Sequence, residues 1–219
     1  MKFLIACVIV LGISVVGWAT KLPSSVVPDG LGVNIHFTGE PARDLDMIQA
    51  GGWKFIRMDF HWGAVEKQKG VYNFTPYDIL TDALAKRGIR ALFILDYGNS
   101  LYEPGDQMHL DSTRQAFAQF AAAAATHFRN RGVIWELWNE PDGSWRPAPD
   151  VDEYMALAKV VFPAIRKADP SSCCIAPATG VNLPFLDACF QRGLLDMVDA
   201  ISLHPYRQGG PESVADDYA

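Results

Sequence analysis

A glutamate within a tryptophan-rich segment is the residue of this sequence best suited to acid chemistry. Glu140 stands between Asn139 and Pro141, directly after an apolar run. Three tryptophans lie near it in the sequence, namely Trp135, Trp138 and Trp145. A carboxyl group beside aromatic surface is partly removed from water, which favours its protonated form. Such a group can protonate a glycosidic oxygen, so we predict that Glu140 acts on carbohydrate.

Further polar and aromatic side chains follow the ends of the predicted strands. They are His36, Arg57 with Asp59, Asp96 with Tyr97, Asn139 with Glu140, and His204 with Tyr206. A (β/α)8 barrel carries its catalytic groups at the carboxyl ends of its strands. This placement therefore favours a barrel whose active site combines these residues.

The elements that must position these residues alternate along the chain. Predicted strands cover residues 31–37, 54–59, 90–95, 133–138, 173–177 and 198–203. Predicted helices cover residues 41–50, 76–87, 111–130, 184–192 and a stretch that begins at residue 152. Strands that alternate with helices imply parallel βα units. No phosphate-binding glycine loop follows the first strand, so we predict an α/β protein of the (β/α)8 barrel type rather than a nucleotide-binding sheet.

Four motifs resemble those of one group of enzymes. They are Arg57-Met-Asp with Trp62 and Glu66, Leu95-Asp-Tyr-Gly-Asn99, Trp138-Asn-Glu-Pro141 and Ser202-Leu-His-Pro-Tyr206. From residue 32 to residue 206 the chain resembles the retaining glycoside hydrolases of clan A. The segment 62–78 is more similar to family 39 than to family 5.

The resemblance implies a role for each matching residue. Glu140 matches the general acid/base, and Asn139 matches the residue that binds the 2-hydroxyl group of the sugar in the −1 subsite. Arg57 and Tyr206 match groups that orient the nucleophile. The other expected substrate-binding residues are His36, His204, Trp62, Tyr97, Asn99, Tyr102 and Trp145. Two structural alternatives stay open: Arg57 pairs with Asp59 or Glu66, and Trp62 belongs to the core.

The resemblance also implies a glutamate nucleophile at the end of a seventh strand, whereas six strands are predicted here. We therefore expect residues 20–219 to form a partial barrel, roughly the first six βα units, with the nucleophile beyond Ala219. Glu136 precedes Glu140 on the same strand, and about 3.3 Å per residue places it about 13 Å deeper, so we expect it to have a structural role. The expected activity is hydrolysis of β-O-glycosidic bonds by retaining double displacement. The alternative is a non-catalytic carbohydrate-binding protein or an inactive fragment of such a barrel.

The N-terminus has the pattern of an export signal. Met1-Lys2 is followed by an apolar run from Phe3 to Val16 and by small residues at Gly17 and Ala19. This run is shorter than the roughly 20 residues of a membrane-spanning helix. We predict a signal peptide over residues 1–19 and a secreted or periplasmic protein that is not inserted in the membrane after cleavage. An uncleaved anchor is the alternative.

The composition of the chain limits the classes of molecule that it is expected to bind. The formal net charge of −6 argues against nucleic acid, because binding phosphates requires clustered Lys and Arg. The histidines and cysteines show no metal-ligand spacing, so we predict a carbohydrate substrate and neither a metal nor a cofactor. Cys173, Cys174 and Cys189 are expected to be buried free thiols, with a Cys174–Cys189 disulfide as the alternative.

Overall fold

A parallel sheet organises the molecule. The computed structural model describes residues 22–23, 29–106, 108–143, 151–206, 208–210 and 212–213. Its strands are β1 (Gly32–Asn34), β2 (Phe55–His61), β3 (Glu66–Gln68), β4 (Val71–Tyr72), β5 (Arg90–Asp96), β6 (Ile134–Leu137), β7 (Cys173–Gly180) and β8 (Ala200–His204). The main sheet has the order β1-β2-β5-β6-β7-β8 and all its pairs are parallel, whereas β3 and β4 form a separate antiparallel hairpin.

Helices connect the strands of the main sheet. They are α1 (Ala42–Ala50), α2 (Trp62–Val65), α3 (Thr75–Ala85), α4 (Asp111–His127), α5 (Val151–Ala168) and α6 (Leu183–Gln191). A 3₁₀ turn, Leu194–Asp196, precedes β8. Because parallel strands that follow one another in space need a crossover between them, this order gives βα units. The predicted fold class is confirmed: six such units form part of a (β/α)8 barrel.

The connection between β2 and α3, in which neither a helix nor a strand is predicted from the sequence, is structured. It contains α2 and the β3–β4 hairpin, which are built around the fully buried carboxylate of Glu66. That carboxylate accepts hydrogen bonds from Trp62 Nε1, from the backbone N–H of Gly70 at 2.5 Å and from Tyr102 Oη at 2.6 Å. These contacts hold the hairpin against the short helix. They could not be predicted from the sequence, because they do not depend on a periodic pattern of apolar residues.

Each face of the sheet has its own core. Between the sheet and the helices lies a large cluster in which the ring of Phe60 packs within 6 Å of the rings of Tyr77, Phe93, Phe120 and Trp135. A smaller cluster on the opposite, inner face consists of Leu92, Ile94, Ile134, Cys173 and Ile175. Strand β5 contributes to both, and all seven of its residues are buried. Helix α5 also buries one apolar face, which includes Tyr154, Leu157, Val161 and Ile165.

The three cysteines of the described chain are buried free thiols. The neighbours Cys173 and Cys174 point to opposite faces of β7, one into each cluster. The favoured interpretation of the cysteines is therefore confirmed, and they form no disulfide in this structure.

None of the described helices is long and apolar enough to cross a bilayer. The predicted signal peptide over residues 1–19 lies outside the described residues.

Candidate active site

A cleft of about 650 Å³ opens at the carboxyl ends of five strands of the main sheet. Its walls come from β1, β2, β5, β6 and β8 and from the residues that directly follow them. The lining residues are Asn34, His36, Arg57, Asp59, Tyr97, Asn139, Glu140, Leu203, His204, Pro205 and Tyr206. The structure thus brings together seven of the predicted site residues, which lie far apart in the sequence.

The backbone that carries Glu140 leaves β6 in an unusual conformation. Trp138 and Glu140 both have positive φ angles, 66° and 54°, and the same holds for Ala178 in β7 at 54°. Each such residue that is not glycine costs about 1–2 kcal/mol and needs support from its surroundings. The support here is a ladder of hydrogen bonds: the Glu140 N–H donates to the Ala178 carbonyl at 2.9 Å, and the Ala178 N–H donates to Ser202 Oγ at 2.8 Å.

The Glu140 carboxylate contacts an imidazole. Nδ1 of His204 lies 2.9 Å from Oε1 of Glu140, and the two side chains are 16% and 13% exposed. The second oxygen of Glu140 has no hydrogen bond among the described residues. A carboxyl group held in this way on one side can exchange a proton with a bound molecule on the other.

Asn139 is oriented by a chain of polar side chains. Arg57 donates from Nε to Glu136 Oε2 at 2.7 Å and from Nη2 to Asn139 Oδ1 at 2.8 Å. Asn139 in turn donates from Nδ2 to Tyr97 Oη at 3.2 Å. Since the amide oxygen of Asn139 is occupied by a guanidinium, the position of its NH₂ group is determined.

Glu136 is the partner of Arg57, rather than Asp59 or Glu66, the two partners considered from the sequence. Its side chain is 2% exposed and lies inside the barrel below Asn139, where we expected a structural role. An ion pair this deeply buried is stable only when both charges are also hydrogen-bonded. Arg57 therefore has a positioning role in addition to its place in the cleft wall.

Two predicted residues lie at the rim of the cleft. The side chain of His36 is 81% exposed, and Tyr206 is 85% exposed. Both line the cleft while remaining open to solvent. An exposed aromatic ring beside a polar cleft is a surface on which a sugar ring can stack.

Other predicted residues lie elsewhere. Trp62 is fully buried, its Nε1 donates to Glu66, and its ring stacks on Tyr102 with 4.8 Å between ring centroids. Asn99 is buried and donates from Nδ2 to the Glu66 carbonyl at 2.9 Å. Trp62 therefore follows the structural alternative of a place in the core, and neither it nor Asn99 lines the cleft. Trp145 lies outside the described residues.

Asp59 lines the cleft, as its place among the polar residues at the predicted strand ends suggested, although the sequence indicated no specific role for it. The burial of β2 alternates along the strand, so Asp59 points to the same side as Arg57, two residues earlier. That spacing was the available signal. Below it, Tyr77 Oη donates to the Asp59 carbonyl at 3.2 Å, and burial raises the pKa of Tyr77 to about 12.

One family model matches residues 30–209, and its description is "Cellulase (glycosyl hydrolase family 5)". No match was found among curated protein sequences. Among solved structures, a family 39 glycoside hydrolase from the gut symbiont Bacteroides cellulosilyticus WH2 is 28% identical, with a TM-score of 0.69. A family 39 β-xylosidase from Caulobacter crescentus is 27% identical with a TM-score of 0.65. The resemblance to families 5 and 39 is confirmed, although the matching family model names the one we ranked second.

The matches cover this chain more fully than they cover the relatives. The Bacteroides enzyme matches over 83% of this chain and 41% of its own, and the Caulobacter enzyme over 85% and 48%. The family 39 enzyme from Xanthomonas axonopodis pv. citri, 22% identical with a TM-score of 0.66, matches over 85% and 46% and shows the fold alone. The chain thus spans less than half of the length of each of these proteins.

Proposed function

Because the chain belongs to the cellulase family, glycosyl hydrolase family 5, we propose that it takes part in hydrolysing β-O-glycosidic bonds of an oligo- or polysaccharide. We assign to it the retaining mechanism, with Glu140 as the general acid/base. The observation that carries this proposal is the contact of 2.9 Å between His204 and one oxygen of Glu140, a residue that lines the cleft and whose other oxygen has no hydrogen bond among the described residues. The proposal concerns the whole protein, of which residues 20–219 form the barrel part.

Glu140 acts twice in this mechanism. Its proton passes to the glycosidic oxygen while the bond from that oxygen to the anomeric carbon breaks. At the same time a carboxylate nucleophile forms a bond to the anomeric carbon, which gives a glycosyl ester. The glycosyl ester is then hydrolysed by a water molecule whose proton returns to Glu140. Each cycle therefore restores the protonated carboxyl group.

Asn139 holds the sugar in our proposal. Its NH₂ group, fixed by the bond from Arg57 to its oxygen, reaches the 2-hydroxyl group of the sugar that is being cleaved. Hydrogen bonds to that hydroxyl strengthen as the anomeric carbon gains positive charge. Tyr97, His36 and Tyr206 complete the binding surface around the same cleft.

The second carboxyl group is not assigned to any residue of this sequence. A retaining enzyme places its two carboxyl groups about 5–5.5 Å apart. Of the described acidic residues, Asp59 alone lines the cleft together with Glu140. It stands two strands away, which alone corresponds to about 10 Å at about 4.8 Å per strand, and it is in register with Glu136, four residues before Glu140. We propose instead that Arg57 and Tyr206 orient a nucleophile supplied from outside this sequence.

This separation favours one second candidate function, which is binding of carbohydrate without hydrolysis. The cleft retains the features that bind sugar, namely a fixed amide, a carboxylate and an exposed aromatic ring, without a paired nucleophile among the described residues. Binding and hydrolysis are therefore tested together.

The test is Glu140→Gln in the full-length protein, assayed on aryl β-glycosides with a good leaving group (dinitrophenol) and a poor one (phenol). Loss of the general acid should reduce turnover by about 10²–10⁴-fold for the poor leaving group and much less for the good one. Asp111→Asn is the matched control, because Asp111 is 94% exposed on α4. Equal losses on both substrates would refute the acid role, whereas binding of oligosaccharide by a protein that turns over neither substrate would establish the second candidate.

We retain export as part of the proposal, since residues 1–19 have the charge and hydropathy pattern of a signal peptide. N-terminal sequencing of the protein recovered outside the cytoplasm should begin at Thr20. A sequence that begins at Met1 and remains with the membrane would identify the segment as an anchor.

A further inference from the structure

The carboxylate of Asp59 faces the cleft without a hydrogen-bond donor from the residues that the structure describes. Its closest imidazole nitrogens are His61 Nε2 at 3.8 Å and His36 Nδ1 at 3.9 Å, both beyond hydrogen-bond distance from Oδ2. The side chain is 27% exposed. A charged group that has lost part of its hydration needs donors in compensation.

Three carboxylates of deeper burial, those of Glu66, Glu136 and Glu140, have polar partners at hydrogen-bond distance. Glu66 accepts from a tryptophan, a tyrosine and a backbone N–H, Glu136 accepts from Arg57, and Glu140 contacts His204. Asp59 differs in this respect from those three residues.

Asp59 stands one step nearer the mouth of the cleft than Arg57. The two side chains point to the same side of β2, and two residues of a strand span about 6.6 Å. Strand β5 separates β2 from β6, so Asp59 and Glu140 occupy different walls. Asp59 is in register with Ile94 and Ile94 with Glu136, so Asp59 lies deeper than Glu140, which follows Glu136 by four residues. In the binding mode that we consider, a sugar ring between these walls turns hydroxyl groups to Asp59 and its anomeric bond to Glu140.

His61 limits where the Asp59 carboxylate can lie. Its Nδ1 is 3.3 Å from Oδ1 of the fully buried Asp96, which is its register partner on β5. With that nitrogen turned to Asp96, Nε2 faces Asp59. His36 and His61 thus both approach Oδ2 of Asp59, and the residue lines the cleft.

We propose that Asp59 is a specificity-determining residue that binds two adjacent hydroxyl groups of the sugar opposite Glu140, an inference that rests on the proposed function of the cleft. Each carboxylate oxygen accepts one hydroxyl proton, which supplies the missing donors. A neutral sugar meets this requirement. A uronic acid instead brings a second negative charge to the same wall, so the cleft selects against it.

The first test measures binding of cellotetraose, xylotetraose and mannotetraose by calorimetry, in the full-length protein carrying Glu140→Gln so that no substrate is consumed. Asp59→Ala should weaken binding of the recognised sugar about tenfold or more, because hydrogen bonds to a charged group are lost. Asp59→Asn, which keeps one acceptor oxygen, should lie in between, and Asp111→Asn should match the parent. Thermal unfolding of each variant verifies that it is folded.

The second test uses charge, a readout that a purely structural role does not change. The parent should bind cellobiose more tightly than cellobiouronic acid, which differs by one carboxylate, and Asp59→Asn should narrow that ratio. Affinities of the Asp59 variants within twofold of the parent, or an unchanged ratio, would overturn the inference while leaving the proposed function in place. If the wild-type protein binds none of these sugars, the proposed function and this inference both fail.

Discussion

His204 and Glu140 are 64 residues apart in the sequence, yet Nδ1 of the first lies 2.9 Å from Oε1 of the second. The contact crosses from β8 to the end of β6 and holds the carboxyl group in one orientation. Proton transfer depends on that orientation, because the donor must lie within hydrogen-bond distance of the leaving oxygen.

We therefore expect His204→Ala to lower kcat about tenfold or more on a substrate with a poor leaving group, since one hydrogen bond to a charged group is lost. KM should change little, because the hydrogen bond acts on Glu140 and not on the sugar. Steady-state kinetics on phenyl and dinitrophenyl glycosides measure both quantities. If His204→Ala raises KM alone, His204 binds the sugar and does not position the acid.

The ion pair between Arg57 and Glu136 should contribute strongly to stability. Arg57→Met leaves the Glu136 carboxylate buried without its partner, which should lower the free energy of unfolding by about 3–5 kcal/mol. Urea denaturation monitored by tryptophan fluorescence gives this value. The double variant Arg57→Met/Glu136→Gln should regain a large part of the loss, because the buried charge is removed as well. Additive losses in the double variant would show that the two side chains are not coupled.

Trp62 and Tyr206 should respond in opposite ways to truncation. Trp62 is fully buried, so Trp62→Ala should lower the free energy of unfolding by about 3–5 kcal/mol through loss of packing. Tyr206 is 85% exposed at the rim of the cleft, so Tyr206→Ala should leave stability unchanged and weaken oligosaccharide binding. Denaturation and calorimetry on both variants separate the two effects. A Trp62→Ala protein of unchanged stability and weakened sugar binding would show instead that Trp62 belongs to the sugar-binding surface.

Stability should fall at alkaline pH. Burial raises the pKa of Tyr77 to about 12 and, with smaller opposing and reinforcing effects of nearby charges, that of Cys174 to about 12. Both groups keep their protons in the folded state at a pH where the unfolded chain has released them. Their contribution is therefore fully present below about pH 9 and is lost as the pH rises towards 12.

Urea denaturation between pH 8 and pH 11.5 measures this slope. Tyr77→Phe removes one of the groups whose pKa is raised, so the free energy of unfolding should fall less steeply above pH 10 than in the wild-type protein, whatever its value at pH 8. Parallel slopes for the two proteins would contradict the assignment.

The repeating units of the fold could be predicted from the sequence because short apolar runs, typical of buried strands, alternate with longer amphipathic stretches, typical of helices. Residues 91–95 of the strand predicted at 90–95 are all apolar, as a strand buried on both faces requires, and the structure extends that strand by one residue to Asp96. The hairpin at residues 66–72 could not be predicted, because it depends on one buried carboxylate and three donors that come from separate segments. Pairings of that kind leave no periodic pattern.

The site could be predicted where a residue type is rare in its surroundings and stands at a strand end, as Asn139 and Glu140 do. The partners that orient them could not, because Glu136 and Arg57 meet across an intervening strand. Trp62 shows the converse difficulty. An aromatic residue that follows a strand fits a cleft and a core equally well until the position of Glu66 is known.

The complete burial of β5 determines which part of the cleft opens least often to solvent. Amides in the middle of a sheet, shielded on both faces, exchange their hydrogens with solvent only through large openings of the molecule, whereas those of peripheral strands exchange through local fraying. β5 ends at Asp96 and thus carries the floor of the cleft at Tyr97, while β1 and β8, at the margins of the sheet, carry His36 and His204 beside it. Within the described part of the chain, the cleft therefore has a rigid centre at Tyr97, between strands whose amides should exchange faster.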